Sequence, residues 1–169
     1  MQFIERDLEV ISRKGKENEQ ENIRFRTYLK GKDPGMIDRI VHELNDEITR
    51  KIDCTRCGNC CRFLCPGVND EEIKKLADLE NTTPEKYIEA NTKLEKYDNT
   101  RYLKHKPCKY LKDKKCSIYP DRPDDCRAYP HTHKKDFTSR LWGILDSYEI
   151  CPIVYNVFER LKEATGFRY

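Results

Sequence analysis

The sequence predicts a mainly helical α+β fold: a small, metal-stabilised domain with short β-hairpins and long irregular loops around cysteine metal sites. Three observations carry that expectation. Apolar residues recur at three- and four-residue steps in several stretches, a tyrosine-rich segment between them favours extended structure, and nine cysteines accompany only 36 Leu, Ile, Val and Phe side chains in 169 residues. An apolar fraction that low sits near the composition of disordered chains, so something besides the core is expected to hold the fold.

Residues 12–22 are almost wholly polar and include Gly15, which reads as a solvated helix surface or a loosely held segment. Asp33 followed by Pro34 is a helix start, a capping carboxylate with a proline pre-set for the first helical position. Ile37, Ile40, Val41, Leu44 and Ile48 then mark one face of a helix over 34–51 that runs directly into Cys54. Asn69 caps a helix carrying Ile73, Leu76, Ala77 and Leu79, and Thr83-Pro84 opens a shorter one with Tyr87 and Ile88.

Between residues 94 and 119, Tyr97, Tyr102, Tyr110, Ile118 and Tyr119 favour strands, with turns centred at Asp98-Asn99 and Lys112-Asp113. Pro120, Pro123 and Pro130 forbid regular structure across the loop that holds Cys126. A closing helix starts at Pro152, with Ile153, Val154, Val157, Phe158 and Leu161 on one face and Gly166 as its stop. The expected division is a helical segment over 1–50 that packs on the core, and a cysteine-cluster domain over 51–169 that includes the closing helix.

The first seven residues mix acids and bases where a secretory leader needs an apolar run, so a cytoplasmic protein is expected. The longest uncharged run, 150–158, is less than half a bilayer span, and no membrane association is expected. With 33 basic and 30 acidic residues the net charge is +3, too balanced to mark a polyelectrolyte binder. In a reducing compartment, clustered cysteines point to metal ligation or redox thiols rather than disulfides.

Cys54, Cys57, Cys60 and Cys61 form a C-x-x-C-x-x-C-C array. Two thiols separated by two residues can face one metal, and Gly58 permits the backbone turn that a β-carbon would resist. A third thiol at the same spacing is also how ferredoxin-type loops wrap a cubane, its fourth ligand arriving from elsewhere in the chain. Adjacent side chains diverge, so one of Cys60 and Cys61 could serve this site while the other serves a second. Cys108, Cys116, Cys126 and Cys151 complete eight thiols, which suit two four-thiolate sites or one site with thiols to spare.

These residues resemble the CxxCxxCC proteins, the YkgJ-type cysteine-cluster family of zinc- or iron-chelating domains. The likeness rests on the first array and on Cys116-Ser117-Ile118-Tyr119-Pro120-Asp121-Arg122-Pro123-Asp124-Asp125-Cys126-Arg127-Ala128-Tyr129-Pro130, with Cys108 before it and Cys151 closing the pattern. It covers about residues 50–152, and a weaker match to the leader of archaeal members spans 21–30. The resemblance implies metal binding by the eight cysteines without naming a substrate. Larger proteins with a similar domain include flagellin lysine methylases, for which an iron–sulfur cluster is implicated. The ninth thiol, Cys65, falls outside the pattern.

All-thiolate sites suit zinc as well as iron–sulfur clusters, and the three-cysteine loop favours a [4Fe-4S] cluster over zinc. Arg122 and Arg127 flank Cys126 and are candidates to offset cluster charge. The competing role is pairing with Asp121, Asp124 or Asp125 to pin the loop. His131 and His133 read as solvated rather than ligating. Lys104, Lys106, Lys112, Lys114 and Lys115 with Tyr102 and Tyr110 could face nucleic acid, but interspersed acids favour a plain solvated surface. No catalytic constellation stands out, and no glycine-rich loop for a nucleotide or S-adenosylmethionine is present. The expected function is therefore an iron–sulfur protein serving electron transfer or protein modification with a protein partner. The alternatives are a structural zinc module with a binding surface and a thiol–disulfide oxidoreductase using Cys54 and Cys57.

Overall fold

The computed structural model describes residues 3–169; Met1 and Gln2, the start of the stretch expected to lack a leader, lie outside the described residues. In chain order the helices are α1 (Leu8–Glu17), α2 (Glu19–Lys30), α3 (Pro34–Thr49), α4 (Cys60–Phe63), α5 (Asp70–Leu79), α6 (Pro84–Asn91), α7 (Asp124–Ala128), α8 (Leu141–Tyr148) and α9 (Pro152–Ala164). The strands are β1 (Gly67–Val68), β2 (Thr92–Leu94), β3 (Arg101–Leu103), β4 (Leu111–Lys112) and β5 (Lys115–Cys116). The fold is α+β and mainly helical, as the periodicity predicts. The chain gathers into two compact units, residues 54–129 and the helical remainder, 3–53 with 130–169.

In the helical unit the starts expected at Asp33-Pro34 and Pro152 are used, and Asp7 adds a cap that the sequence reading lacks. Asp7 accepts from the N–H groups of Glu9 and Val10, and Asp33 accepts from Met36 at 2.7 Å with Pro34 behind it. The polar stretch 12–22 is a helix surface shared by α1 and α2. α3 packs along α9, and Ile37, Val41 and Ile48 of the one and Val154, Val157 and Leu161 of the other are buried. Phe25 meets Phe158 edge-to-face at 5.1 Å, a geometry that favours aromatic pairs. Asn156 ties the N-terminal segment to α9: its amide accepts from the Glu5 N–H at 2.9 Å and donates to the Glu5 carbonyl at 2.8 Å. Two basic side chains of α9 are buried with partners, Arg160 with Glu47 and Lys162 with Glu21 and Glu159.

In the 54–129 unit, β2 and β3 form the hairpin predicted around Asp98-Asn99, with Asn99 at φ 54°. β1 adds to the far side of β3, a third strand that the sequence did not announce. β4 and β5 form the second hairpin; its turn is Asp113-Lys114, both at positive φ, one residue beyond the expected centre. α5 carries a capping box between Asn69 and Glu72. The core of this unit is Val68, Ile73, Leu76, Ala77, Tyr87, Leu103 and Tyr110. Leu79, expected on the packed face of α5, is instead 48% exposed.

The proline segment needs a correction. It is not irregular throughout: Tyr119–Asp121 is a 3-10 turn and Asp124–Ala128 is a short helix. Pro120 occupies the first turn of the one and Pro123 the cap of the other. At those places the missing N–H has no helical partner to lose.

Candidate metal centre

The cluster loop opens with a 3-10 turn over Cys54–Arg56, closed by the Cys57 N–H on the Cys54 carbonyl at 3.2 Å. Gly58 follows at φ +61°, and a β-carbon there would collide with the backbone of Lys114 in the β4–β5 turn. Glycine is therefore required twice over, for the left-handed conformation and for the close approach of the loop to the second hairpin. α4 then carries Cys60 and Cys61 in its first turn.

Backbone bonds bring the later cysteines to this loop. The Cys108 N–H donates to the Cys61 carbonyl at 2.7 Å, and Leu111 returns to the Cys108 carbonyl at 3.0 Å. Leu111 is paired with Cys116 across the hairpin, and Ser117 donates to the Tyr110 carbonyl at 2.8 Å. Cys126 lies in α7, which two carboxylates fix: Asp125 accepts from the Gly67 N–H at 3.0 Å, and Glu72 accepts from the Asp124 N–H at 2.6 Å.

Cys61, Cys108, Cys116 and Cys126 lie within electrostatic reach of one another. Burial pushes the Cys126 thiol up to about 12, and the negative charge of Cys61, Cys108, Asp125 and Cys116 adds to the rise. Burial likewise raises Cys108 and Cys116, and Cys61 pushes each further in the same direction. Cys61 moves the other way, down to about 7, chiefly because the Cys60 thiol donates to it. Holding such crowded, half-buried sulfurs as thiolates calls for a cation, and a soft divalent metal is the partner that sulfur prefers. The donor set fits such a metal in kind. Among the described residues, however, no three His, Cys, Asp or Glu side chains converge on one point at coordinating distance.

The two arginines differ. The positive charge of Arg122 acts on Cys116 and favours its thiolate, while its guanidinium stacks on the Tyr119 ring at 3.7 Å and donates to the Tyr119 carbonyl at 2.6 Å. Arg127 reaches the Pro120 carbonyl and Asp124, contacts that pin the loop. Cys65 is half-buried in the extended link between α4 and β1. Cys151 is in the helical unit, buried as the residue before α9, with its N–H on the Ser147 carbonyl at 2.9 Å.

Behind Cys108 and Cys116 is a hydrogen-bonded network that the sequence did not reveal. The Tyr87 and Tyr110 hydroxyls are 2.8 Å apart, Tyr110 donates to Glu80 at 2.5 Å, and Lys109 joins Glu80 to the Asn91 amide. Both cysteines pack against the core that contains these rings. The tyrosine-rich composition was the only signal available; the partners are 23 and 30 residues apart.

A family model, CxxCxxCC, described as "Putative zinc- or iron-chelating domain", matches residues 53–143, more than half of the chain. The chain belongs to the CxxCxxCC family. The family's description supports metal binding, of zinc or of iron. The CxxCxxCC match takes in every cysteine from Cys54 to Cys126 and ends before Cys151. No curated protein and no solved structure matches the chain. Among the described residues no helix is long and apolar enough to cross a membrane.

Proposed function

We propose that the chain carries an iron–sulfur cluster, of [4Fe-4S] type, which serves electron transfer or a protein-modification reaction with a protein partner in the cytoplasm. The observation that supports a metal centre most directly is that backbone bonds set Cys108 beside Cys61 and the β4–β5 hairpin pairs Cys116 with Leu111, so that Cys61, Cys108, Cys116 and Cys126, from separate segments, lie within electrostatic reach of one another. The spacing of Cys54, Cys57 and Cys60 supports a cluster over a single ion, since three thiols on one loop suit the corner irons of a cubane. Cys61 together with the three later thiols would form a second four-thiolate set. Cys151 retains the ligand role implied by the resemblance, and Arg122 is the residue suited to offset thiolate charge at Cys116.

Structural zinc is the second reading, favoured by one feature: the β4–β5 hairpin pairs Cys116 with Leu111, whose N–H donates to the Cys108 carbonyl, so a small hairpin holds both thiols on one side of the cluster loop without a cubane being needed. Elemental analysis for iron, zinc and acid-labile sulfide, on protein purified without oxygen or added metal, separates the two. Brown protein with about four irons and four sulfides per cluster supports the first reading. Colourless protein with stoichiometric zinc and no sulfide replaces it with the second.

A further inference from the structure

α5 is seated in the core of residues 54–129 by Ile73, Leu76 and Ala77, all buried. A carboxylate stands at either end of it: Glu72 in its first turn and Glu80 directly after its last residue, roughly 12 Å apart at the helical rise per residue. The two reach different cysteine-bearing segments.

Glu72 uses both of its oxygens. Oε2 accepts from the Asn69 N–H at 2.8 Å, which closes the capping box of its own helix, and Oε1 accepts from the Asp124 N–H at 2.6 Å. Asp124 opens α7, and a first-turn N–H has no partner within its own helix. The residue ahead of a helix ordinarily supplies one, but here it is Pro123, whose side chain has no oxygen to offer. Glu72 therefore caps a second helix besides its own, and that helix carries Cys126.

Glu80 holds the Cys108 segment through side chains. Its Oε1 accepts from the Tyr110 hydroxyl at 2.5 Å and its Oε2 from Lys109 Nζ at 2.8 Å, so the two residues that follow Cys108 are tied to one carboxylate. With its proton on Glu80, the Tyr110 hydroxyl accepts from that of Tyr87, and both rings are buried. Leaving a buried hydroxyl without its partner is costly, so this arrangement gives the Cys108 segment one favoured seat.

We infer that Glu72 and Glu80 are positioning residues of the cysteine metal centre, two clamps on one helix that set where Cys126 and Cys108 stand. Each acts through neighbours of one thiol and is not itself a ligand. The inference rests on the metal centre proposed above and is independent of whether it holds iron or zinc.

Metal transfer from the full chain to a chromophoric chelator, in oxygen-free buffer, tests it beside iodoacetamide alkylation resolved by peptide mass spectrometry. Glu72→Ala and Glu80→Ala should each weaken metal retention about tenfold, the lower end of the range for groups that hold a ligand in place. The cysteine whose alkylation quickens most should be Cys126 in the first variant and Cys108 in the second. Asn69→Ala is the control: it breaks the capping box of α5 but leaves the Glu72 carboxylate on the Asp124 N–H, so retention should match the parent chain. If an alanine variant does not fold, Glu72→Gln and Glu80→Gln decide, since each keeps one acceptor oxygen and loses the other; the same pattern is expected at smaller amplitude. Unchanged retention in both glutamate variants, the same cysteine leading in both, or an Asn69→Ala loss equal to that of Glu72→Ala would each overturn the inference while the metal centre stands. A chain that holds no metal as purified would overturn both.

Discussion

The Cys108 N–H donates to the Cys61 carbonyl at 2.7 Å, and this one bond joins the cluster loop to the hairpin that carries Cys116. It places two candidate ligands 47 positions apart on adjoining backbone. Gly58 against Lys114 makes a second junction between the same two segments. The site is therefore assembled by backbone contacts between irregular segments, with the thiols carried on them.

If Cys61 and Cys126 are ligands, replacing either by serine removes a soft donor and leaves a hard, neutral oxygen in its place. Metal retention should fall by more than the roughly 10–100-fold typical of changes to outer-shell groups. Competition with a chromophoric chelator measures it. Unchanged stoichiometry and affinity in Cys126→Ser would take Cys126 out of the ligand set. Cys151→Ser, read in the same assay, decides whether the residue before α9 takes part.

Gly58→Ala introduces two penalties. The left-handed conformation costs a non-glycine residue about 1–2 kcal/mol, and the new methyl group meets the Lys114 backbone, which has no flexible end to move aside. A loss of about 2 kcal/mol or more in chemical denaturation is expected, together with lower metal content. Gly143→Ala is the control, because a β-carbon built there meets no described atom within 4 Å beyond its own stretch of helix. Equal stability of the two variants would contradict the loop–hairpin junction.

What the sequence made legible was local. Asp33-Pro34, Asn69 and Thr83-Pro84 announced helix starts because capping is chemistry between residues three positions apart. The cysteine motifs were legible because ligand spacing is local as well. Long-range matters were not: that β1 would pair with β3, that Asp125 would hold Gly67, and that Tyr110 would reach Glu80 depend on contacts no periodicity encodes. The proline segment reads as irregular because proline breaks helices and strands, yet its position within a turn decides whether the missing N–H matters.

Glu47 gives the helical unit a definite acid response. Hydrogen bonds from Lys51 and then Arg160 hold its carboxyl down at about 2, against an ordinary value of 4.5. A depressed folded-state value means that the contribution is complete above 4.5 and is lost as pH falls from there towards 2. Glu47→Gln should therefore flatten the acid limb of a stability–pH curve and leave its slope above pH 6 unchanged. Parallel acid limbs for the variant and the parent protein would remove this trio from the acid response.

Metal removal should act unequally on the two units. The helical unit buries Phe25, Leu29, Ile37, Val41, Phe137, Val154, Phe158 and Leu161 among others, a core that needs no metal. Residues 54–129 have a seven-residue core in which two members are tyrosines, and units of that size usually need a staple. Chelation under reducing conditions should therefore abolish the near-ultraviolet signal of Tyr87 and Tyr110 and expose the amides of β1–β5 to exchange. The helical circular dichroism of α1–α3, α8 and α9 should largely persist. The chain's one tryptophan, Trp142, lies in the helical unit, so its fluorescence reports on that unit separately. A single transition in which tryptophan and tyrosine signals vanish together would show that the metal supports the whole chain. Unchanged spectra from both would show that residues 54–129 fold on their small core alone.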